Sequence, residues 1–582
     1  MARPIALRSV SVVLLAALTA ASAPAGAAPR AGVLDGEVTP EACARLGFPA
    51  ASGAEVRFGS PRVGLAAPPP PAPPMASPMV QGRIGEFKAG PQEVTVTASR
   101  RRGPPRVETE RYPDATPNPV KRAAEDPVST FSIDVDTAAY ANVRRFLNDG
   151  QAPPSDAVRV EELVNYFDYG YAPPTDRRQP FSTYAAVVPS PWSKDRQILH
   201  IGLQGYDIPR AEQPPLNLVF LVDTSGSMWG PDRLPLAQKA LNILIDQLRP
   251  QDRVAMVAYA GSAGAVLAPT DGRQKLKMRC ALGALRAGGS TAGGQGLALA
   301  YDLAGQNFDP KAVNRVILLT DGDFNVGVTD DEKLEDFVAA KRKTGVYLSV
   351  YGFGRGNYQD ARMQVLAQNG NGAAAYIDTL AEARKLLRDD LAGSLFPIAD
   401  DVKIQVEFNP AQVSEYRLIG YETRLLNRED FNNDRVDAGE VGSGASVTAL
   451  YEITPAGARP SSDPLRYSSP ASRAGPSGEL AYLKIRYKRP GEGASHLIER
   501  PITRADVLPS LATAPEATRW ALAVAGFGQK LRGDPWVDPA FGWAQVIDLA
   551  QGARGEDPFG LRAEFVQLAR AADGARTLNE TP

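Results

Sequence analysis

Histidine and cysteine are scarce in this chain of 582 residues: His200 and His496, Cys43 and Cys280 are all there is. So few side chains, so scattered, are poor material for an ordinary zinc site or for a His-dependent catalytic triad. The two Cys permit a disulfide in an exported protein without implying one. Charge of either sign is balanced, 64 Lys and Arg against 66 Asp and Glu, net −2, so neither nucleic acid nor an anionic membrane surface is indicated as a partner. Also missing is any later run of about 20 apolar residues that could span a bilayer. The apolar stretch Ser11 to Ala21 is shorter than that. It follows Arg3 and Arg8 and precedes the small residues Ala25-Gly26-Ala27, the pattern of a secretory signal peptide (1–27) cut before Ala28. No Cys follows it directly, so lipid attachment there is not expected. The expected location is outside the cytoplasm: periplasmic, cell-envelope associated or secreted.

Gly (53) and Pro (50) are plentiful, and the length predicts about three or four domains. Residues 28–124 read as a Pro-rich linker, largely disordered, with "AAPPPPAPPMASP" (66–78) as extended polyproline-type chain. Within it "QEVTVTASR" (92–100) resembles the short segments by which outer-membrane transporters engage an energising protein; a single short strand is the plainer reading. Residues 125–210 read as a small mixed domain of strands and helices, in which Asp134 and Asp136 alternate as the polar face of a strand. From 216 to 395, short apolar runs alternate with helical patterns. The strands are "LNLVFLV", "RVAMVAYA", "AGAVLAP", "NRVILLT", "VYLSVYGFG" and "AAAYID", several of them continuously apolar, as strands buried on both faces should be. Leu234, Ala237, Leu241, Leu244, Ile245 and Leu248 form one helical stripe; Leu380, Ala383, Leu387, Leu391 and Leu395 form another. Residues 397–500 turn β-rich, and 510–575 are helical, with helices opening at Pro515 and at Asp557-Pro558. The fold class is α/β: a doubly wound, mostly parallel, Rossmann-like sheet. A small mixed N-terminal domain precedes it, and a β-rich then helical C-terminal region follows.

In such a sheet, ligands bind outside the carboxyl ends of the strands. Three loops predicted there carry oxygen ligands: Asp223, Ser225 and Ser227 after the first strand, Thr291 in "AGGSTAGG", and Asp321 in "TDGDFNVG". Two carboxylates and three hydroxyls make an all-oxygen site, which suits Mg²⁺, with Mn²⁺ or Ca²⁺ as substitutes. Turn chemistry alone explains a lone Asp-Thr-Ser-Gly, but not three matching strand ends. An aspartic protease needs a second such turn, and phosphotransfer through the first loop needs a second carboxylate where Ser225 stands. "DFNNDRVDAGE" (430–440) mimics a calcium loop but has Arg435 where Gly is required, and reads better as an Asx-rich loop between strands.

At these residues the chain resembles the von Willebrand factor A domain family, whose metal-ion-dependent adhesion site has the pattern Asp-x-Ser-x-Ser, a Thr on a second loop and an Asp on a third. All five positions match. The resemblance implies that the hydroxyls contact the metal, that the Asp residues act largely through water, and that a partner carboxylate completes the coordination. "STFSIDVDTAAYANVRRFLNDG", "RVEELVNYF", "DAGEVGSGASVTALYEI" and "LAYLKIRYK" resemble the N- and C-terminal extensions of a bacterial group of A-domain proteins. The expected function is therefore an exported adhesion or scaffold module, not an enzyme, that captures an acidic group of a protein partner through its metal. The alternative is an assembly protein whose flanking domains bind and whose metal is structural.

Overall fold

A computed structural model describes residues 37–48, 110–113, 116–133, 136–176, 178–291, 293–322, 331–355, 359–436, 438–461 and 478–579. Residues 1–27, 66–78 and 92–100, on which the signal-peptide, polyproline and transporter-segment readings fall, lie outside the described residues, as does Asp134.

The central unit carries a sheet of six strands: β1 (Leu216–Asp223), β2 (Arg253–Tyr259), β3 (Ala263–Asp271), β4 (Val313–Thr320), β5 (Val346–Gly352) and β6 (Ala374–Tyr376). Their spatial order is β6-β5-β4-β1-β2-β3; every neighbouring pair is parallel except the β2–β3 hairpin. Helices cover both faces. On one side α1 (Leu234–Gln247) and α2 (Lys275–Ala284) pack on Leu218, Phe220 and Val222. On the other, α3 (Gly293–Gln306), α4 (Asp331–Arg342) and α5 (Asp360–Asn369) pack on Val219 and Leu221. Burial on both faces is why these strands read as unbroken apolar runs. The last stripe, from Leu380 to Leu395, is not one helix. It is broken by a π-helical turn at Lys385–Asp389, which leaves Leu380 exposed while Ala383, Leu387 and Leu395 stay buried.

The flanks depart from the sequence reading. Residues 125–210 and 397–500 do not form separate bodies. Val128–Ser132 pairs with Pro397–Phe408, and Gln197–Gly205 pairs with Ser446–Pro455. Two antiparallel sheets, each mixing strands from before and after the central unit, face each other across a core that includes Phe131, Ile201, Ile404, Tyr416 and Tyr451. Local patterns cannot reveal such pairing, because the partners lie more than two hundred residues apart. The C-terminal helices Glu516–Arg532, Trp543–Gly552 and Leu561–Asn579 pack with Ala138–Asn148 and Val160–Val164 in a further core. Trp543–Gly552 escaped the sequence reading, and the last helix starts at Leu561, after the Asp557-Pro558 turn.

Within the span 28–124 the structure describes residues 37–48, 110–113 and 116–124, and these include regular elements. Thr39 caps a short helix, Pro40–Arg45, and Lys121–Arg122 pairs with Val413–Ile419. Cys43 is disulfide-bonded to Cys280 on α2, settling a question the sequence left open.

Buried ion pairs dock the central unit on the flanking body. The Arg144 guanidinium, 1% exposed, bonds Asp378 and Glu382 of the central unit and Glu564 of the last helix. Arg159 pairs with Asp360 at 2.7 Å. Asp136 is not on a strand; it accepts from Ala374 N at 2.9 Å and from Arg424 at 3.2 Å, and so pins β6 to the body.

Candidate metal centre

The chain order of the strands reverses between β1 and β4, so the crevice at their carboxyl ends is the topological switch point of the sheet. Asp223 is the last residue of β1, and Asp321 follows β4 directly. Both carboxylates therefore border that crevice, and both are buried.

Asp223 is held on every side. Its Oδ1 accepts from Ser225 N at 2.8 Å; its Oδ2 accepts from Tyr259 OH at 3.1 Å and Thr320 Oγ1 at 3.2 Å. Burial pushes its pKa up to about 6, with Asp321 adding repulsion and the Ser225 and Tyr259 bonds opposing. Both oxygens already have protein donors, an arrangement that orients the carboxylate and leaves its remaining lone pairs to water or a cation.

Ser225 precedes a short 3₁₀ turn at Gly226–Met228 and Ser227 lies within it, and their hydroxyls are 2.8 Å apart. The second loop clasps the first: Gly288 N donates to Thr224 O at 2.8 Å and Gly226 N to Gly289 O at 2.9 Å. Thr291, half-buried, rides on that clasped loop. Gly296, one turn into α3, lets the helix close on β2, since a Cβ there would stand 2.9 Å from Tyr259 Cβ. The third loop is tied in by Arg233. Its guanidinium donates to Ser227 O and to Arg355 O and lies 3.6 Å from Asp321 Oδ2. Gly354 is needed for this: its φ is +76°, and a Cβ would collide with the Arg233 side chain. Arg355 continues to Asp149 of the flanking body at 2.5 Å.

The structure thus places Asp223, Ser225, Ser227 and Asp321 around one crevice, with Thr291 on an adjoining loop. The sequence reading missed Tyr259, Thr320 and Arg233. Two of these are hydroxyl residues closing strands β2 and β4, a position that could have drawn notice; nothing local marks Arg233. The "DFNNDRVDAGE" segment behaves as turn chemistry. Asp430 caps a 3₁₀ turn through Asn427, and Asp434 pairs with Arg486 and Ser495. Among the described residues no group of three or more His, Cys, Asp or Glu is placed to hold a metal, so a cation here would depend on hydroxyl and water oxygens as well as carboxylates. The donor set fits a small hard cation. Magnesium–oxygen distances of about 2.0–2.1 Å put adjacent octahedral ligands about 2.9 Å apart, close to the Ser225–Ser227 spacing.

Comparison with known proteins places the central unit in a family. The von Willebrand factor type A domain model matches residues 217–389, and a von Willebrand factor model matches 106–200. A model described as "Uncharacterized protein YfbK, C-terminal" matches 393–574. Uncharacterized protein YfbK of Escherichia coli (strain K12) is 44% identical over 509 residues, 86% of this chain and 87% of that relative. The chain belongs to the von Willebrand factor type A domain family, in its YfbK group. Its A domain is the central unit, and the C-terminal match runs through β strands and helices alike. Uncharacterized protein sll0103 of Synechocystis sp. (strain ATCC 27184 / PCC 6803 / Kazusa) is 32% identical over 174 residues, 30% of this chain and 40% of that relative. Among solved structures, "von Willebrand factor type A from Catenulispora acidiphila" superposes with a TM-score of 0.38 at 18% identity, covering 68% of this chain and 91% of that one. A domains are protein-interaction or adhesion modules, and this chain carries one.

Proposed function

We propose that the protein is an exported, non-enzymatic binding module whose A domain captures an acidic group of a protein partner through a divalent cation. Ser225, Ser227 and Thr291 would offer hydroxyl oxygens to Mg²⁺, Mn²⁺ or Ca²⁺, and Asp223 and Asp321 would act mainly through water. The observation that carries this reading is the paired hydroxyls of Ser225 and Ser227 beside two buried carboxylates at the switch point. Such an ion supplies an acceptor for an external carboxylate oxygen. Asp223, Asp321 and Arg233 together carry a formal charge of −1, which a divalent cation turns to +1, so the loaded site attracts an anion. The Cys43–Cys280 disulfide supports export, because such bonds persist in oxidising compartments. No helix among the described residues is long and apolar enough to cross a membrane.

The test is Mn²⁺ binding by equilibrium dialysis, followed by capture of Asp- and Glu-bearing peptides on an array in Mg²⁺ or EDTA. One bound equivalent, lost in Asp223→Ala, with capture abolished by EDTA, is the expected result. Metal binding with capture indifferent to EDTA would point instead to a structural ion and to partner binding by the flanking body.

A further inference from the structure

The 3₁₀ turn that carries Ser227 has two consecutive large apolar residues with opposite fates. Met228 is fully buried in the α1 side of the core; Trp229 is 81% exposed. The chain has five Trp. Trp192, Trp520 and Trp543 are buried and Trp536 is half-buried, so Trp229 alone turns its indole outward. Among the described large apolar residues it is the most exposed; the next, Phe559, is at 58%.

Isolated exposed apolar side chains are ordinary. This one is set apart by its mount. Met228 anchors the turn from below, Met228 N bonds Ser225 O and Trp229 N bonds Gly226 O, and the Arg233 guanidinium holds Ser227 O. A rigid backbone presenting a side chain with only two rotatable bonds loses little entropy on binding. Trp is also among the residues most enriched at the energetic centres of interfaces.

Resting on the capture reading above, we infer that Trp229 is the second half of the recognition surface, and that the partner is a protein segment pairing an Asp or Glu with a large apolar side chain nearby. The carboxylate goes to the Ser225–Ser227 crevice; the apolar group covers the indole. Trp229 lies two residues from Ser227, a span of at most about 7 Å, so the two determinants fall within about three residues of each other in an extended ligand. Charge agrees with this occupant: the loaded crevice is positive, while the adjoining indole offers nothing to a second carboxylate.

The experiment is a peptide array with a fixed central Asp or Glu and varied flanks, probed in Mg²⁺ and in EDTA with the wild-type chain and Trp229→Ala. Wild type should favour aromatic residues, Leu or Met within three positions of the acid, and only in Mg²⁺. Trp229→Ala should bind Mn²⁺ and unfold like wild type, lose that preference, and bind the best wild-type peptide about 30-fold more weakly. A preference that persists in Trp229→Ala, or is absent from wild type while Mg²⁺-dependent capture remains, overturns the inference and leaves the capture reading standing. No Mg²⁺-dependent capture of any acidic peptide by wild type ends the capture reading and this inference with it.

Discussion

Replacing Asp223 by Asn should make the metal-free protein more stable, and the metal should close the gap. Asp223 is fully buried, and its carboxyl is held at about 6 against an ordinary 3.8. Ionisation is therefore disfavoured in the folded state by about two pKa units, or about 3 kcal/mol. The sign follows from proton binding. The unfolded chain releases this proton near pH 4 and the folded chain only near pH 6, so metal-free stability falls across that interval and stays lower above it. Asparagine keeps an oxygen for Ser225 N, and its amide can donate to the rotatable hydroxyls of Tyr259 and Thr320, which lie at 3.1 and 3.2 Å from Asp223 Oδ2. For a domain of this size about 3 kcal/mol is about 6–12 °C in Tm. The assay is thermal unfolding at pH 7.5 in EDTA, wild type beside Asp223→Asn, followed by the same pair in Mg²⁺. At about a hundred times its dissociation constant the ion should return about 2.7 kcal/mol to wild type and nothing to the variant, closing the gap. A variant less stable than wild type in EDTA would refute the reasoning. It would mean that the ionised carboxylate is a net stabiliser without any cation.

Other expectations concern the framework. Arg144→Met leaves Asp378 and Glu382 buried without their cation and should cost about 3–5 kcal/mol; unchanged unfolding, or unchanged hydrogen exchange at Ala138–Asn148, would contradict the docking described. His200 is fully buried between Tyr171 OH at 2.7 Å and Thr518 Oγ1 at 3.0 Å, and burial lowers its pKa to about 3. A depressed His pKa gives stability that is present above pH 6.5 and lost as pH falls towards 3, about 2.7 kcal/mol of it by pH 4.5. Urea unfolding at pH 7.5 and 4.5 should show that extra loss in wild type and not in His200→Phe; equal losses in both would refute it.

The sequence disclosed the central unit well because its signals are local. Each strand is buried on both faces, each helix has one apolar stripe, and ligand oxygens sit at strand ends. Asp223, Ser225 and Ser227 lie within five residues, so one loop showed most of the site. Arg233 was invisible because its role comes from a bend that returns it to Ser227 and to a loop more than one hundred residues later. Trp229 was visible as a letter, but its exposure depends on Met228 taking the inward position on the same turn. The flanking sheets were misdivided for a related reason. Strands such as Val128–Ser132 satisfy their hydrogen bonds with partners that no window of sequence contains.

The Cys43–Cys280 bond joins positions 237 residues apart, and it changes how tension would run through the molecule. A pull applied on the N-terminal side of Cys43 has a covalent route that does not pass through the β sandwich first. It crosses the sulfur bridge straight into α2, beside the core that backs the Ser225–Ser227 turn. Reducing the bond reroutes the load, so a single redox event decides which part of the protein bears mechanical force first.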